Sequence, residues 1–325
     1  MRVLLVDPID PSGVALLRQT AEVVLCKEAS FECIRHDARH ADAIITRSRL
    51  PDDFFEFAGK MKAVMIHGTG LDLVPIKAAT ERGIPVANIP GGNGQSVAEY
   101  CVLAMLMLAR NAFEITTRTR TRPWDETRAL GAKAHEIAGM TAGIVGVGEI
   151  GKRVAKICRN GFGMRVLGNQ RRLDRLPPEA QAADLDKLVA ESDFLVVTCP
   201  LTPETHHLFD RKRLSRMKST AWLINVGRGA VVEETALIEA LQNKSIAGAM
   251  LDVYEHYRLE PGHPLLSLDN AVLTPHLSGM TQESRKRMGT TAAEETLRML
   301  AGERPINFVN PEAWDRINER RSQNR

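Results

Sequence analysis

Near the middle of the chain, the sequence is Ala142-Gly-Ile-Val-Gly146-Val-Gly148-Glu-Ile-Gly151-Lys-Arg-Val-Ala155. It has the spacing G-x-G-x-x-G at the point where a short apolar run gives way to an amphipathic helix. In such a turn the first glycine permits the tight bend, the second lets the backbone approach a pyrophosphate, and the third lets helix and strand pack closely. The helix N-terminus adds free N–H groups and a positive dipole, here at Glu149 and Ile150. The stretch therefore predicts a dinucleotide site.

Short apolar runs alternate with helical stretches on both sides of this turn. Alternation of this kind indicates parallel sheets covered by helices on both faces. Strands are predicted at Val3–Val6, Val23–Leu25, Ala43–Thr46, Ala63–Ile66 and Pro85–Ala87, and then at Ala142–Val147, Arg165–Gly168, Phe194–Thr198, Ala221–Asn225, Gly248–Asp252 and Ala271–Leu273. The six strands of the second series are the size of a full dinucleotide-binding unit.

Two long helices separate and close the two series. The first runs from Ser96 to Thr117, with Ser96 as its N-cap and Glu99 three positions later, and the second runs from Thr281 to Ala301. A chain of 325 residues suggests two domains, or one interrupted by another. We expect an α/β protein with two Rossmann-like, doubly wound parallel-sheet domains. Residues 99–281 would form the nucleotide-binding domain, inserted into a flavodoxin-like domain made of residues 1–98 and 282–325.

Composition excludes several classes of function. Apolar residues make up 44% and charged residues 26%, as in an ordinary globular protein. The net charge of +3, from 43 basic and 40 acidic residues, is too even for a nucleic-acid partner. The five scattered cysteines form no C-x-x-C pair, so we expect no metal site and a cytoplasmic location. The apolar run Cys101–Ala109 is too short to span a membrane. The N-terminal strand lacks a signal-peptide core. The segment Arg316–Arg325 is interpreted as a solvated basic tail.

The end of the next strand indicates which dinucleotide is bound. Dinucleotide sites that prefer NAD place an acidic residue about 20 positions beyond the turn, where it binds the ribose hydroxyls. The sequence there reads Asn169-Gln170-Arg171-Arg172, with no carboxylate to repel a phosphate. Two guanidiniums are suited to bidentate binding of the 2′-phosphate. The sequence therefore favours NADP(H) over NAD(H).

Several separated motifs, in order, resemble the D-isomer-specific 2-hydroxyacid dehydrogenase family, which includes phosphoglycerate dehydrogenases and glyoxylate/hydroxypyruvate reductases. The resemblance covers nearly the whole chain. The motifs are His67-Gly-Thr-Gly-Leu-Asp72, Asn93-Gly-Gln-Ser-Val-Ala-Glu99, the Gly-rich turn, Pro200-Leu-Thr-Pro-Glu-Thr205, Asn225-Val-Gly-Arg-Gly229, Leu251-Asp-Val-Tyr254 and Thr274-Pro-His276. Asn169–Arg172 also resembles the equivalent stretch of NADPH-using hydroxypyruvate reductases.

The resemblance implies interconversion of a small 2-keto acid and the D-2-hydroxy acid by hydride transfer. His276 would be the acid/base, because an imidazole can supply the proton that the carbonyl oxygen needs. Arg228 would bind the substrate carboxylate and polarise the carbonyl, and Gly227 and Gly229 would let this loop approach the ligand. The amides of Gly68, Thr69 and Gly70 would bind the carboxylate from the other domain. The implied cofactor contacts also include Cys199, Pro200, Thr205, Val226, Gly227, Asp252 and Gly279.

One catalytic position departs from the family pattern. The family reads Asp-Val-Phe-Glu-x-Glu-Pro, in which the second Glu pairs with the acid/base His. In this chain the corresponding sequence is Asp252-Val-Tyr-Glu-His-Tyr257-Arg-Leu-Glu260-Pro261. An ungapped match places Tyr257 in that Glu position, whereas a local shift would bring in Glu260. A tyrosine could orient the imidazole but could not stabilise the imidazolium by charge. In that case we expect weaker reduction above neutral pH.

Substrate, assembly and an alternative function stay open at this point. His67 is interpreted as a structural or pocket-wall residue, beside Leu71 and Tyr257 in the side-chain pocket. Family members are dimers formed through the cofactor domain, so we expect a homodimer in which Arg118–Ile137 is the exchanged arm and Trp124 approaches the partner's pocket. The alternatives are a non-catalytic NAD(P)-binding regulator on the same scaffold and, with less support, a phosphate-ester or nucleotide-binding module without redox chemistry.

Overall fold

The computed structural model describes residues 1–316, so most of the predicted basic tail lies outside the described residues. The backbone divides into two compact units. Unit 1 combines Met1–Asn93 with the segment from Met280 onward, and unit 2 is Gly94–Gly279. Unit 2 is therefore inserted into unit 1, as expected, with its ends at residues 94 and 279 where the sequence suggested 99 and 281.

The N-terminal segment of unit 1 alternates strands and helices. Its strands are β1 (Arg2–Leu5), β2 (Glu22–Leu25), β3 (Ala43–Thr46), β4 (Ala63–Ile66) and β5 (Val86–Ala87). Its helices are α1 (Pro11–Leu17), α2 (Phe31–Ala38), α3 (Phe54–Phe57) and α4 (Ile76–Glu81). The residues of β3 and β4 are all buried, which explains why these strands read as continuous apolar runs.

Unit 2 begins with helices and continues with a longer α/β series. Its helices are α5 (Gly94–Ala109), α6 (Ala112–Thr119), α7 (Trp124–Ala129), α8 (Glu149–Phe162), α9 (Leu185–Glu191), α10 (Arg211–Leu214) and α11 (Glu234–Gln242). Its strands are β6 (Thr141–Val145), β7 (Arg165–Asn169), β8 (Gln181–Ala182), β9 (Phe194–Val197), β10 (Trp222–Asn225), β11 (Gly248–Leu251) and β12 (Ala271–Leu273). The chain then returns to unit 1 as helix α12 (Gln282–Leu300).

Both sheets are parallel and doubly wound. The sheet of unit 1 has the order β2-β1-β3-β4-β5, which is the flavodoxin order, and α1 and α12 pack together against it. The sheet of unit 2 has the order β12-β11-β10-β9-β6-β7-β8, with the order reversing between β6 and β9. In sheets of this kind ligands bind outside the carboxyl ends of the strands at the reversal point. The Gly-rich turn follows β6 and so lies at that point.

The sequence missed one strand and misjudged one helix. The seventh strand β8 has only two residues, both exposed, and carries no apolar pattern. The helix predicted from Ser96 to Thr117 is wrong in two respects. It begins at Gly94, so Ser96 is a buried residue within the helix and is not its N-cap. It also breaks at Asn111, whose φ of 50° is left-handed, and α5 and α6 meet at 65°.

Among the described residues, no single helix is long and apolar enough to cross a membrane. The bent pair of α5 and α6 satisfies that test only when the two are taken together, by length and composition. Ten of the 16 residues of α5 are buried.

Candidate active site

The turn after β6 has the geometry that its glycines predict. Gly146 has a φ of 93°, and a Cβ atom there would lie 2.5 Å from the Cys199 backbone. A Cβ atom on Gly151 would lie 2.7 Å from the Gly146 carbonyl oxygen. The Thr198 hydroxyl donates to the same carbonyl at 2.7 Å. Gly146 and Gly151 are therefore required by the protein's own packing.

Gly148 differs from its two neighbours in the motif. A Cβ atom built on Gly148 meets no protein atom within 4 Å, so open space lies in front of it. The adjacent amides of Val147, Glu149 and Ile150 donate to no acceptor among residues 1–316. Free amides at the start of a 14-residue helix, with room before the backbone, fit the pyrophosphate of a dinucleotide.

The side chains after β7 differ in whether they already have a hydrogen-bond or ion-pair partner. Gln170 folds back to donate to the Arg172 carbonyl at 2.7 Å, and Arg172 pairs with Asp174 at 2.9 Å. The exposed side chain of Arg171 has no hydrogen bond or ion pair within the described chain, although its charge helps to lower the pKa of Glu204 below its usual value, behind the Thr202 and backbone hydrogen bonds. Of the two guanidiniums, that of Arg171 is therefore the one without a hydrogen bond or ion pair in the described chain.

The other predicted cofactor contacts line the carboxyl ends of β9 and β10. Cys199 and Val226 are buried, and Thr205 closes the Pro200–Thr205 turn by donating to the Pro200 carbonyl at 2.7 Å. A Cβ atom on Gly227 would lie 2.7 Å from the Cys199 carbonyl oxygen, so these two loops touch. Gly279 ends unit 2.

The glycines beside Arg228 are required by packing within unit 2. A Cβ atom on Gly229 would collide with the Tyr254 carbonyl group, and one on Gly227 would meet Cys199. The Arg228 backbone carbonyl accepts from Asn225 Nδ2 at 3.0 Å. The Nη1 atom of the Arg228 side chain donates to the Gly227 carbonyl at 2.9 Å. The guanidinium is thereby fixed to a loop that has little freedom.

Asp252 anchors the segment that carries His276. Its buried carboxylate accepts from the Thr274 hydroxyl at 2.7 Å, the Leu277 amide at 2.8 Å and the Ser278 amide at 2.9 Å. From the family resemblance, Asp252 was expected to contact the cofactor. Its carboxylate has about four lone-pair directions and uses three of them within the protein, so its first role is to position this loop.

His276 occupies a strained position at the end of this segment. Its φ is 54°, a left-handed conformation that non-glycine residues rarely adopt and that clusters at functional sites. Its amide donates to the Asp252 carbonyl at 2.9 Å. Thr274, two residues earlier, is held by the hydroxyls of Tyr100 and Tyr254, the latter donating to the Thr274 carbonyl at 2.8 Å. These bonds fix the backbone from which the exposed imidazole projects.

The structure distinguishes between the two residues proposed beside His276. The Tyr257 ring lies edge-on to the imidazole with 6.2 Å between centroids. The Glu260 carboxylate has no hydrogen bond or ion pair with any described residue. Tyr257 is therefore the neighbour of His276, and no shift brings Glu260 into that position.

Two His–Glu contacts in unit 2 were not predicted from the sequence. His207 Nε2 lies 2.9 Å from Glu255, and His263 Nε2 lies 3.1 Å from Glu234. Burial would raise the pKa of Glu255, but hydrogen bonds from His207 and the Glu234 amide bring it below its usual value. His207 and His263 thereby stabilise the Glu255 turn that leads to Tyr257.

Unit 1 carries a second set of free amides, after β4. The amides of Gly68, Thr69 and Gly70 donate to no acceptor within residues 1–316. The loop is held from behind, since Ile89 donates to the Gly68 carbonyl at 2.8 Å and Asn88 Nδ2 to the Thr69 carbonyl at 2.9 Å. Three consecutive free amides form an anion-binding concavity.

His67 precedes these amides and is buried, with 5% of its surface exposed. Both ring nitrogens are buried and contact no donor or acceptor of the described residues. The pKa of His67 is lowered to about 4, mainly by burial and also by the positive charges of Arg47 and Arg285, while Asp7 opposes the shift. The imidazole is therefore neutral at physiological pH.

Comparison with known proteins identifies the family. Residues 102–278 match the D-isomer specific 2-hydroxyacid dehydrogenase, NAD binding domain. The chain is 35% identical over 318 residues to D-3-phosphoglycerate dehydrogenase of Methanocaldococcus jannaschii, covering 95% of this chain but 59% of that relative. It is 36% identical over 315 residues to glyoxylate reductase of Thermofilum pendens, covering 94% of this chain and 93% of the relative.

Solved structures agree with the sequence comparison. The TT0316 protein of Thermus thermophilus superposes with a TM-score of 0.87 at 35% identity, covering 95% of this chain and 100% of that one. An NADPH-dependent glyoxylate/hydroxypyruvate reductase of Sinorhizobium meliloti, solved with NADP and malonate, superposes with a TM-score of 0.84 at 27% identity, covering 96% and 97%. The chain therefore belongs to the D-isomer-specific 2-hydroxyacid dehydrogenase family and is an NAD(P)-dependent oxidoreductase.

Proposed function

We propose that this protein reduces a small 2-keto acid to the D-2-hydroxy acid with NADPH, with His276 as acid/base and Arg228 as the substrate cation. The observation that carries the proposal is the construction of unit 2 around these two side chains. Asp252 and two tyrosine hydroxyls hold the His276 segment, and Asn225 and Gly229 hold the Arg228 loop. A loop this constrained, with a strained histidine at its tip, is typical of a catalytic position.

The fit of a nicotinamide dinucleotide rests on the Gly148 turn. The open space before Gly148 and the free amides of Glu149 and Ile150 would hold the pyrophosphate, and Gln170 and Arg171 would face the adenosine ribose. When bound, the nicotinamide supplies the hydride for the carbonyl carbon. A Cβ atom at position 148 would fill the space that the phosphates need.

Arg228 and His276, both in unit 2, would supply complementary chemistry. The Arg228 guanidinium, always protonated, would bind the substrate carboxylate through its forked donors and polarise the C2 carbonyl. The His276 imidazolium would give its proton to the C2 carbonyl oxygen as that oxygen becomes an alcohol, and the neutral imidazole would take it back in the reverse direction. In unit 1, the free amides of Gly68, Thr69 and Gly70 would bind the carboxylate.

Preference for NADPH rests on Arg171. Gln170 carries no charge to repel a phosphate, and Arg171 has no competing partner in the described chain. Arg172 is a weaker candidate because Asp174 occupies its guanidinium, although an exposed pair of this kind is worth little and a phosphate could displace it. The named NADPH-dependent relative supports the same preference.

Assembly and compartment complete the proposal. Unit 2 carries an open cavity of about 640 Å³ on the side of Trp222, Gly248 and Asn270, where β10–β12 begin. Trp124 in the expected arm is 70% exposed. Together with the family resemblance, these features support a homodimer through unit 2. All five cysteines are free thiols, which supports the reducing cytoplasm as the compartment.

The rival function is a non-catalytic NAD(P)-binding regulator, for which the loss of the family Glu at Tyr257 is the only favouring observation. Loss of NADPH absorbance with a panel of 2-keto acids distinguishes the two. We expect turnover with at least one acid and a loss of about 100-fold or more in kcat/KM for Arg228→Ala, since a bidentate, charge-assisted contact is removed. NADPH binding without turnover of any acid would instead support the regulator.

A further inference from the structure

Two cysteines of unit 1 lie close together at the end of β2. Cys26 directly follows this strand, and its amide donates to the Leu5 carbonyl of β1 at 2.9 Å. Cys33 lies in the first turn of α2, where its amide donates to the Ser30 hydroxyl at 3.2 Å. The two cysteines are seven positions apart and form no C-x-x-C pair, which is why the sequence predicted no metal site. The fold nevertheless brings the two thiols together.

A carboxylate completes this cluster. Asp37 lies one helical turn after Cys33 on α2, so the two side chains share a face of the helix. The Oδ2 atom of Asp37 lies 3.6 Å from the Cys33 sulfur, and its Oδ1 atom lies 2.8 Å from His36 Nδ1. The sulfurs of Cys26 and Cys33 and the Asp37 carboxylate all lie within 4.8 Å of one another. Three ligand atoms from two segments of the chain therefore face a common space.

The cluster lies at the boundary between the core of unit 1 and the solvent. Cys26 is 5% exposed and belongs to the apolar cluster that includes Leu4 and Ile34. Cys33 is half-buried, and the Asp37 side chain keeps 22% of its surface exposed. The core thus holds one sulfur in place, while the carboxylate side of the cluster is open to water. This arrangement leaves room for a water molecule beside the three side chains.

A carboxylate beside two thiols is better explained by a bound cation than by a disulfide. Burial, followed by the neighbouring Cys33 and Asp37, raises the pKa of the Cys26 thiol. Disulfide exchange begins with a thiolate, so the negative charge of Asp37 opposes that reaction. A divalent metal ion reverses the effect, because it binds thiolates and a carboxylate together and displaces the thiol protons.

We propose that Cys26, Cys33 and Asp37 bind a zinc ion, with water as the fourth ligand. Tetrahedral zinc holds thiolate and carboxylate atoms at about 2.0–2.3 Å, which places the ligand atoms within about 4 Å of one another. Small side-chain rotations in the observed cluster suffice to reach this geometry. His36 would support the Asp37 carboxylate from outside, as hydrogen-bonded partners of metal ligands commonly do.

The zinc ion would join the end of β2, an edge strand of the unit 1 sheet, to helix α2. Its expected effect is therefore on stability, since a metal that binds the folded state shifts the unfolding equilibrium toward that state. None of the three ligands takes part in the proposed reaction, so this inference goes beyond the proposed function and does not depend on it.

Zinc titration of the reduced, full-length protein in competition with a coloured chelator tests the site. We expect one zinc ion per chain, with a Kd of about 1 µM or tighter. Binding should raise the midpoint of thermal unfolding. Cobalt(II) in place of zinc should produce an absorption band from sulfur-to-metal charge transfer, which reports thiolate ligands.

Variants of the three ligands locate the metal. Cys26→Ser and Cys33→Ser should each weaken zinc binding by about 100-fold or more and remove the charge-transfer band, and Asp37→Asn should weaken binding by about 10-fold. Because Cys33 is only half-buried, Cys33→Ser keeps the test informative even if the buried Cys26→Ser fails to fold.

Two matched controls alter the same residue types elsewhere. Cys158→Ser removes a buried thiol of α8 whose sulfur contacts Met105, and Glu32→Gln removes an exposed carboxylate of α2. Both should bind zinc as the wild type does. The inference is overturned if the reduced wild type takes up no zinc, if it forms a Cys26–Cys33 disulfide but binds no metal, or if Cys33→Ser binds zinc with wild-type affinity. Each of these outcomes leaves the proposed function intact, because turnover of 2-keto acids is measured without zinc.

Discussion

Tyr257 is the residue that sets this chain apart from its family pattern. It lies edge-on to His276 in the position of a carboxylate, and its ring is 72% exposed. An aromatic ring can restrict the orientation of the imidazole, but it cannot stabilise the imidazolium by charge as a carboxylate does. If His276 is the acid/base, as proposed, its imidazolium is expected to lose its proton at a lower pH than in a His–Glu pair.

Restoring the carboxylate should extend reduction to higher pH. In Tyr257→Glu, the negative charge beside His276 raises the pKa of the imidazole, so the protonated acid persists as pH rises. The alkaline limb of kcat/KM for 2-keto acid reduction should move upward by about one pH unit. Glu260→Gln is the control, because that carboxylate makes no hydrogen bond or ion pair with the described residues. Identical profiles for the wild type and Tyr257→Glu would refute this role for Tyr257.

His67 should make the folded state sensitive to acid. Its pKa is depressed to about 4 when folded and has a reference value of 6.5, so the unfolded chain takes up a proton first as pH falls. Stability is therefore complete above pH 6.5 and declines by about 3 kcal/mol as pH falls from 6.5 to 4. Urea unfolding across this range measures the decline.

His67→Leu removes both the titration and the unsatisfied nitrogens. The variant should be at least as stable as the wild type at neutral pH and should lack most of the decline between pH 6.5 and 4. His36→Leu is the matched control, because that imidazole is 85% exposed. An equal decline in the wild type and His67→Leu would show that His67 does not govern acid stability.

At the scale of the element, the Gly-rich turn separates folding from binding. Gly146→Ala would force a Cβ atom to 2.5 Å from the Cys199 backbone at a φ of 93°, so it should destabilise the protein by about 2–3 kcal/mol. Gly148→Ala meets no protein atom within 4 Å. It should retain near-wild-type stability and lose NADPH affinity by about 10-fold or more, because the methyl group occupies the phosphate space.

Thermal unfolding and NADPH fluorescence titration of the two variants check this contrast. If Gly148→Ala bound NADPH as tightly as the wild type, the space before Gly148 would not be the pyrophosphate site. Equal stability of Gly146→Ala and the wild type would contradict the packing described for β6 and the Cys199 loop.

The elements show what the sequence could and could not predict. Buried strands such as Ala43–Thr46 and Ala63–Ile66 were placed to the residue, because continuous apolar runs bounded by loops leave little choice. The two-residue strand β8 carries no such pattern and was missed. The break at Asn111 was missed because a single left-handed residue changes the helix axis without interrupting its apolar periodicity.

Some residues of the candidate site could likewise be predicted from the sequence, and others could not. His276, Arg228 and the three glycines of the turn are identified by motif, since their roles require a particular residue type. The anchoring roles of Asp252, Tyr100 and Tyr254 depend on contacts between segments up to 174 positions apart, which spacing does not reveal.

At the scale of the whole molecule, the expected assembly is a homodimer. Light scattering should give a mass of twice 35.9 kDa. Trp124→Asp places a charge where an exposed aromatic ring would be buried by a partner, so it should shift the protein toward monomer. Ile306→Asp, in unit 1, alters a side chain of similar exposure and should remain dimeric. A monomeric wild type, or equal behaviour of the two variants, would contradict assembly through unit 2.

In the proposed reaction, bound NADPH gives a hydride and His276 gives a proton to a 2-keto acid. The most direct measurement supplies NADPH deuterated at its transferable hydrogen, together with a 2-keto acid that the panel shows to be reduced. The product should be the D-2-hydroxy acid with deuterium at C2, formed about 100-fold or more slowly by His276→Asn, which still binds NADPH. Product without deuterium at C2, the L enantiomer, or an unchanged rate in His276→Asn would contradict the account.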